Sequence, residues 1–441
     1  MKKLFILLIL MIPIFLFAQK DTVQLYVPSL IKADIDTLIS KMKDYHPTFL
    51  NYYQENNIQS KIDSIRKTIN KPMSSLDLFR IMQPIISIDG HTTLAYNGEI
   101  YPKVDNPLLP FKIVIYNNLM YVKENLSGNK AISKGMVVEK INSIPASSLI
   151  KNLIRYVPGE KESYKTKSLE KDFHTFYSLV YGAFSEFTLA INGTEYKVNG
   201  AKWSDFQEPS KPDLELRFYD NDIAYIFKRG FKPSKQFLHF FNSAFDLINA
   251  ELIKYLIIDN LGGGGVTDVA DSLMSYFAGN PYCLFLKKMT RISTLTKDFI
   301  EDKKSEGYIK DGYFIQDYTP HNPRSDRFTG KVYILTGPLS YSTGTCFPAA
   351  AKWYNNAAIV GEESGQPLLS DGDLNRFTLP NTKLTCYTSL SKIYMPGNNN
   401  DTVKGVLPDY NVTPALDDLL NDRDYALEYT LKLIRDNKTK K

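Results

Sequence analysis

The feature that most constrains the fold of this chain is a set of unbroken apolar runs, each ending in a turn that feeds a helix-like segment. Tyr255-Leu256-Ile257-Ile258-Asp259 runs into Gly262-Gly263-Gly264-Gly265. Lys331-Val332-Tyr333-Ile334-Leu335-Thr336 runs into Gly337-Pro338 and a helix that should begin near Ser342. Ala357 to Val360 is a third such run, and Ile223 to Ile226 is strand-like ahead of a helical pattern over Phe237 to Tyr255. Strands apolar at every position, with no alternation, are buried on both faces. Alternating with helices, they predict a mainly parallel α/β sheet. In such sheets reactive groups gather at the carboxyl ends of the strands, where loops hand over to helices.

The rest of the chain has a different character. Lys2 and Lys3 precede a 14-residue apolar run from Leu4 to Phe17, short of the roughly 20 residues a membrane helix needs. Residues 1–18 therefore read as an export signal. No Cys follows the run, so lipoprotein acylation is not expected, and a periplasmic or secreted location is. Residues 30–85 are helical in pattern, with apolar positions three and four apart in Leu30 to Leu38 and Ser74 or Ser75 as N-cap. From about residue 101 the runs become short and β-like (Phe111 to Tyr116, Met120 to Val122, Met136 to Ile141, Phe187 to Ile191), separated by Asn and Gly turns. Ser168 to Tyr181 reads as an amphipathic helix among them, and 205–213, with Pro209 and Pro212, as a linker. The predicted division is a signal at 1–18, a helical region at 19–100, a β-rich domain at 101–205 and an α/β core at 206–441.

Composition closes off other classes. The net charge of +5 is spread thinly, and nucleic-acid binding would need a concentrated basic patch. Three cysteines make no disulfide framework, and five scattered histidines form no HxxxH or HExxH pattern. Neither a metal site nor any other cofactor is expected. No apolar run after the signal is long enough to span a membrane, and no feature points to a particular oligomeric state.

Two strand ends could carry chemistry. The four glycines of Gly262 to Gly265 could turn bare backbone N–H groups toward a ligand, although a flexible structural loop reads the same way. No Gly-Lys-Ser/Thr or GxGxxG pattern supports phosphate or dinucleotide binding there. At the second, Ser342 stands where a strand meets an Ala-rich helix, in the positive field of the helix start. Ordinary helix capping by Ser342 or Ser340 is the competing explanation. A nucleophilic serine needs a base. Among the histidines, His91 in Asp89-Gly90-His91-Thr92-Thr93-Leu94 sits at a glycine turn able to aim its ring inward. His46, His174, His239 and His321 read as structural or solvated. Ser148-x-x-Lys151 matches a Ser-Lys motif only formally, in a region read as β-rich.

Asp-Gly-His-Thr, Leu-Ile-Ile-Asp with a glycine turn, Val-Tyr-Ile-Leu-Thr-Gly, Ser-Tyr-Ser-Thr-Gly, Ile-Val-Gly-Glu-Glu-Ser-Gly and Lys-Gly-Val-Leu-Pro-Asp follow one another in this chain. This order resembles the carboxyl-terminal processing (tail-specific) serine peptidases, most closely their tricorn-like, histidine-using branch, over about residues 30–435. The resemblance implies a crotonase-like (ClpP/crotonase) α/β core, a PDZ-like domain at 101–205 and a helical amino-terminal region. Lys134 to Asn142 is similar to a PDZ-type Gly-Asp-x-Ile-x-x-Ile-Asn strand. It implies Ser342 as nucleophile, His91 as base, and the N–H groups of Thr343 and of Gly263 or Gly264 as oxyanion donors. Pro367 stands where the lysine-using branch keeps its base. Asp401 lies nearest the acid position, whose matching slot is occupied by Thr402, and Glu362 is a second candidate. Gly90 replaces a serine that bridges base and acid, and Asn260-Leu261 replaces Leu-Arg. The implied activity is hydrolysis of peptide bonds in a peptide or protein substrate. An inactive peptide- or ligand-binding protein on the same fold, or a small-substrate esterase or amidase, are the rival expectations.

Overall fold

The computed structural model describes residues 23–95, 106–207, 212–233 and 235–439. The expected signal at 1–18, the junction near residue 101 and residues 208–211 of the expected linker lie outside them. No helix among the described residues is long and apolar enough to cross a membrane.

The amino-terminal helices are Pro28–Tyr45, Phe49–Glu55, Ile58–Thr68 and Ser75–Ile86. The first buries Ile31, Ile35, Leu38, Ile39 and Met42 at helical spacing. The fourth starts at a reciprocal cap in which the Ser74 hydroxyl accepts from Asp77 N and Asp77 accepts from Ser74 N. Such caps contribute about 1 kcal/mol. These helices share an apolar core with a six-stranded antiparallel sheet whose main path runs Phe111–Tyr116, Leu119–Asn125, Val137–Ile141, Glu186–Ile191 and Thr194–Asn199. Asn117-Asn118 and Asn192-Gly193 take positive φ between its hairpin strands, the backbone that tight two-residue turns require. Helix Glu162–Tyr181 packs on this sheet and breaks helical geometry at Asp172. Ser148 and Lys151 lie exposed on helix Ala146–Leu153, so their region is helical rather than β.

The second layer is the α/β sheet, in the order Tyr410–Asn411, Ala358–Gly361, Lys331–Thr336, Tyr255–Asp259, Ile223–Lys228 and Leu214–Tyr219. All its pairings are parallel except the last. Ile226, Leu256, Ile258, Val332 and Ile334 face a cluster with Phe237, Phe241, Val269, Leu273 and Phe347. Tyr225, Ile257, Tyr333 and Leu335 face Ala426, Leu427, Leu431 and Ile434 on the other side. Burial on both faces is the reason these runs are apolar throughout. The helix expected to reach Tyr255 instead spans Lys235–Ala250. Leu252 at φ 52° reverses the chain so that Tyr255 can start a strand.

A third sheet, not evident in the sequence, is antiparallel and centred on Thr385–Tyr394, which pairs with Leu369–Thr378, Lys287–Arg291 and the two-residue strand Thr93–Leu94. Thr93 opposite Tyr387 and Leu94 opposite Cys386 carry the end of the helical region onto the α/β core. That pairing sets where His91 lies.

Candidate active site

Strand Lys331–Thr336 gives way to helix Thr343–Trp353 through Ser342, which has φ 57° and ψ −124°. A non-glycine residue held there costs on the order of 1–3 kcal/mol. The Ser342 side chain makes no capping hydrogen bond, so the ordinary reason for a serine at a helix start is missing. Its Oγ lies 3.1 Å from Nε2 of His91 instead. The neighbouring hydroxyl of Ser340 turns inward, donating to the Asn260 carbonyl at 2.6 Å and accepting from Gly337 N at 3.1 Å. One serine braces the turn and the other is presented by it.

The glycine run is packed rather than loose. A Cβ on Gly264 would sit 2.4 Å from the Tyr341 carbonyl and 2.8 Å from Ser342 Cβ. Only bare backbone fits against the serine turn. Thr343 secures the contact by donating its hydroxyl to the Gly265 carbonyl. Behind it, the buried Lys228 ammonium donates to Asn260 Oδ1 at 2.9 Å, and Asn260 Nδ2 donates to the Gly344 carbonyl at 2.7 Å. Burial, against the charge of Asp259, lowers Lys228 below the ordinary lysine value. No hydrogen bond among the described residues uses the N–H of Thr343 or Gly264. Gly263 differs: its N–H is committed to the Leu339 carbonyl at 3.0 Å. Of the expected oxyanion donors, the N–H groups of Thr343 and Gly264 are uncommitted and that of Gly263 is spent on its own turn.

His91 is held by a carboxylate two residues before it. Asp89 is buried, and its Oδ1 accepts from His91 N at 2.7 Å and from Ser389 Oγ at 3.1 Å. Its Oδ2 accepts from Thr92 Oγ1 at 2.9 Å and meets His46 Nε2 at 2.6 Å. Burial alone would raise the Asp89 carboxyl. The hydrogen bond and charge of His46, then the charge of His91, bring it down to about 2. Burial would likewise lower His46, but Asp89 and the charge of Asp371 raise it above its usual value. Both shifts favour an imidazolium facing a carboxylate. Burial lowers His91 itself, against the opposing charges of Asp89 and Asp373, and a neutral imidazole is what a general base requires.

The expected acids lie elsewhere. Asp401 closes its own turn, accepting from Val403 N at 2.7 Å and Lys404 N at 3.0 Å. Those bonds lower its carboxyl, and neither of its oxygens meets His91. Glu362 accepts from the Tyr425 hydroxyl at 2.8 Å. No side chain among the described residues hydrogen-bonds His91 Nδ1, and the Asp371 backbone is the neighbour that acts on the ring, so no acid aims this imidazole. Asp89, His46 and Gln366 are site residues that the sequence does not single out. Gln366 accepts from Ser342 N at 2.8 Å and donates to the Asp371 carbonyl at 3.1 Å. Asp89 lies two residues before His91 in sequence, which is a usable signal. His46 and Gln366 gave none. Among the other histidines, His239 is exposed, His321 faces Asp271, and His174 stacks on Phe206.

His46, Asp89 and Asp371 each bring one atom of metal-ligand type within 4.8 Å of the others. The 2.6 Å hydrogen bond between His46 and Asp89 already satisfies two of the three. A cavity of about 500 Å³ opens beside Gly262, Gly263, Gly264 and Tyr341, walled by Val157, Pro158, Tyr164 and Phe176. A second, of about 770 Å³, shares Leu339, Lys171 and Asp172 with it and reaches the edge strand at Lys112, Ile113 and Val114.

Residues 222–412 match the model of peptidase family S41. No curated protein matches the chain. Among solved structures, mature CPAF is similar at 14% identity over 92% of this chain and 96% of that one, with a TM-score of 0.64. Mature CPAF complexed with lactacystin matches at 14% identity over 92% and 97%, also at 0.64. A putative S41 protease from Bacteroides fragilis matches at 14% over 90% and 97%, with a TM-score of 0.45. At this identity the CPAF likeness establishes a shared fold.

Proposed function

We propose, from the match of residues 222–412 to peptidase family S41, that the chain is a serine-type peptidase that hydrolyses peptide bonds through Ser342 with His91 as general base. The observation that carries the reading is the 3.1 Å approach of His91 Nε2 to an uncapped Ser342 Oγ on a strained strand-to-helix turn. As Oγ attacks the substrate carbonyl, His91 takes its proton. The carbonyl oxygen, now negative, is held by the N–H groups of Thr343 and Gly264. His91 then delivers the proton to the leaving amine, and the C–N bond breaks to leave an acyl-serine. Water, deprotonated by His91, releases the acid and restores the hydroxyl.

We further propose that the α/β layer is a crotonase-like core and the sheet over residues 111–199 a PDZ-like domain, with the two adjoining cavities receiving the extended substrate chain. The charged and then apolar run at the amino terminus supports export. Amino-terminal sequencing of the protein recovered outside the cytoplasm would test that directly.

A fluorophosphonate probe should label the wild-type protein on Ser342. Ser342→Ala should remove labelling and cleavage of a peptide panel, by several orders of magnitude in rate, with an unchanged circular dichroism spectrum. Turnover surviving in that variant would remove Ser342 from the mechanism. A folded wild-type protein that neither labels nor cleaves would favour a binding protein without turnover.

A further inference from the structure

The two turns that meet at the active site are joined by a second hydrogen bond, one residue before the first. The N–H of Gly90 donates to the hydroxyl of Tyr341 at 2.8 Å, running alongside the contact of His91 with Ser342. The Tyr341 hydroxyl donates in turn to Glu160 Oε2 at 2.6 Å. Glu160 comes from a third segment, the connection into helix Glu162–Tyr181, and its Oε1 is buried with no partner. The Tyr341 ring is clamped between Tyr164, at a centroid distance of 4.4 Å, and His91, at 5.3 Å. Gly90 is required by this arrangement. A Cβ there would fall 2.4 Å from Cζ and Oη of Tyr341, so the space a side chain would fill is occupied by the tyrosine hydroxyl.

We propose that Tyr341, held by Glu160, is a positioning residue whose hydroxyl ties the His91 turn to the Ser342 turn and so sets the separation of base and nucleophile. The proposal rests on the serine hydrolase reading. Its physical basis is local. Tyr341 and Ser342 are consecutive, as are Gly90 and His91, so a fixed Oη-to-N distance leaves the imidazole little freedom to slide away from Oγ. A near-attack geometry lost by about 1 Å costs roughly a hundredfold in rate. Glu160 holds the hydroxyl from the far side, where a buried acceptor has no water to replace it.

The groups facing Glu160 are Tyr341, Asp89 and Asp371, with Tyr164 and Lys165 on its own segment. Burial, reinforced by the charges of Asp89 and Asp371 and opposed by the Tyr341 hydrogen bond, pushes its carboxyl up to about 8. That shift favours the neutral carboxyl over the charged one near neutral pH. A glutamine, neutral at every pH and still an acceptor for the tyrosine hydroxyl, keeps the tie and removes the titration.

The test measures kcat, KM and the rate of fluorophosphonate labelling in four proteins. Tyr341→Phe should lose roughly a hundredfold in kcat and in labelling rate, with KM and the thermal midpoint close to wild type. Glu160→Leu should behave in the same way. Glu160→Gln should keep kcat within a fewfold at pH 7 and lack the inflection near pH 8 expected of wild type. Wild-type kcat and labelling in Tyr341→Phe would overturn the proposal, as would a loss confined to KM or a Glu160→Gln variant as slow as Glu160→Leu. A wild-type protein whose Ser342 does not label at all would instead overturn the hydrolase reading, and this proposal with it.

Discussion

The Ser342 turn and the His91 turn meet at one point but are built by opposite means. The serine turn is local. Strand, Gly337-Pro338, the strained residue and its helix follow in sequence from Lys331 to Trp353, and the glycine run seats on it backbone to backbone. The histidine turn is assembled from afar. Asp89 holds it, and Asp89 is held by His46, 43 residues upstream, and by Ser389, 300 residues downstream. A nucleophile presented by backbone strain and a base presented by a buried ionic network should fail differently when disturbed.

The largest expected effect on the histidine side comes from removing the base. His91→Gln should abolish nearly all turnover while leaving the fold intact, because the ring makes no buried ion pair of its own. It should also remove the acid limb of the pH profile. Activity needs the neutral imidazole, and burial lowers the His91 pKa. The wild-type limb should therefore fall below the ordinary histidine value of about 6.5. A limb unchanged in His91→Gln would assign the base elsewhere. Neither Lys352, paired with Asp409, nor Lys404, beside Asp401, is placed to replace it.

Asp89→Asn should cost stability first and activity second. It leaves the His46 imidazolium buried without its counter-ion, and breaking such a pair costs about 3–5 kcal/mol. The wild-type pair has two signs to check. Asp89, lowered from 3.8 to about 2, contributes about 2 kcal/mol that is present above pH 4 and lost as pH falls toward 2. His46, raised by Asp89, contributes stability that is complete below about pH 6.5 and lost as pH rises through its folded value. Denaturant melts across pH should show both slopes, and Asp89→Asn should flatten the acid one. A melt insensitive to Asp89→Asn would mean that the histidine turn is held by backbone pairing alone.

The smallest effect belongs to the acid expected from the sequence. Asp401→Asn should leave kcat within about twofold and the thermal midpoint close to wild type, since this carboxylate only closes its own turn. A kcat lowered by two orders of magnitude would place Asp401 at the imidazole after all.

This contrast follows how legible each part was. The strands Tyr255–Asp259 and Lys331–Thr336 have the bounds their apolar runs predict, because burial on both faces leaves no polar position to blur them. Ser342 was legible for the same reason, as a strand end facing a helix start. Capping and catalysis remained indistinguishable there until the side chain's partner was known. His91 stood out by its glycine turn, but its carboxylate was sought beyond the serine, whereas the network uses Asp89. The third sheet escaped notice because its strands carry mixed polar patterns and pair across long separations, Thr93 with Tyr387 among them.

The sequence by itself determined the periodicities: which runs are buried on both faces, where glycine admits a close backbone approach, and that a serine and a histidine stand at turns. Those properties depend on neighbours a few residues away. Tertiary structure alone decided that Ser342 caps nothing, that Gly263 is spent on Leu339, and that Asp401 belongs to a surface turn. It alone also brought His46, Asp89 and Ser389 to one carboxylate and Tyr341 to Gly90. Hydrogen bonds of a few ångströms across hundreds of residues are set by how sheets and helices pack. No local pattern encodes which distant partner that packing delivers.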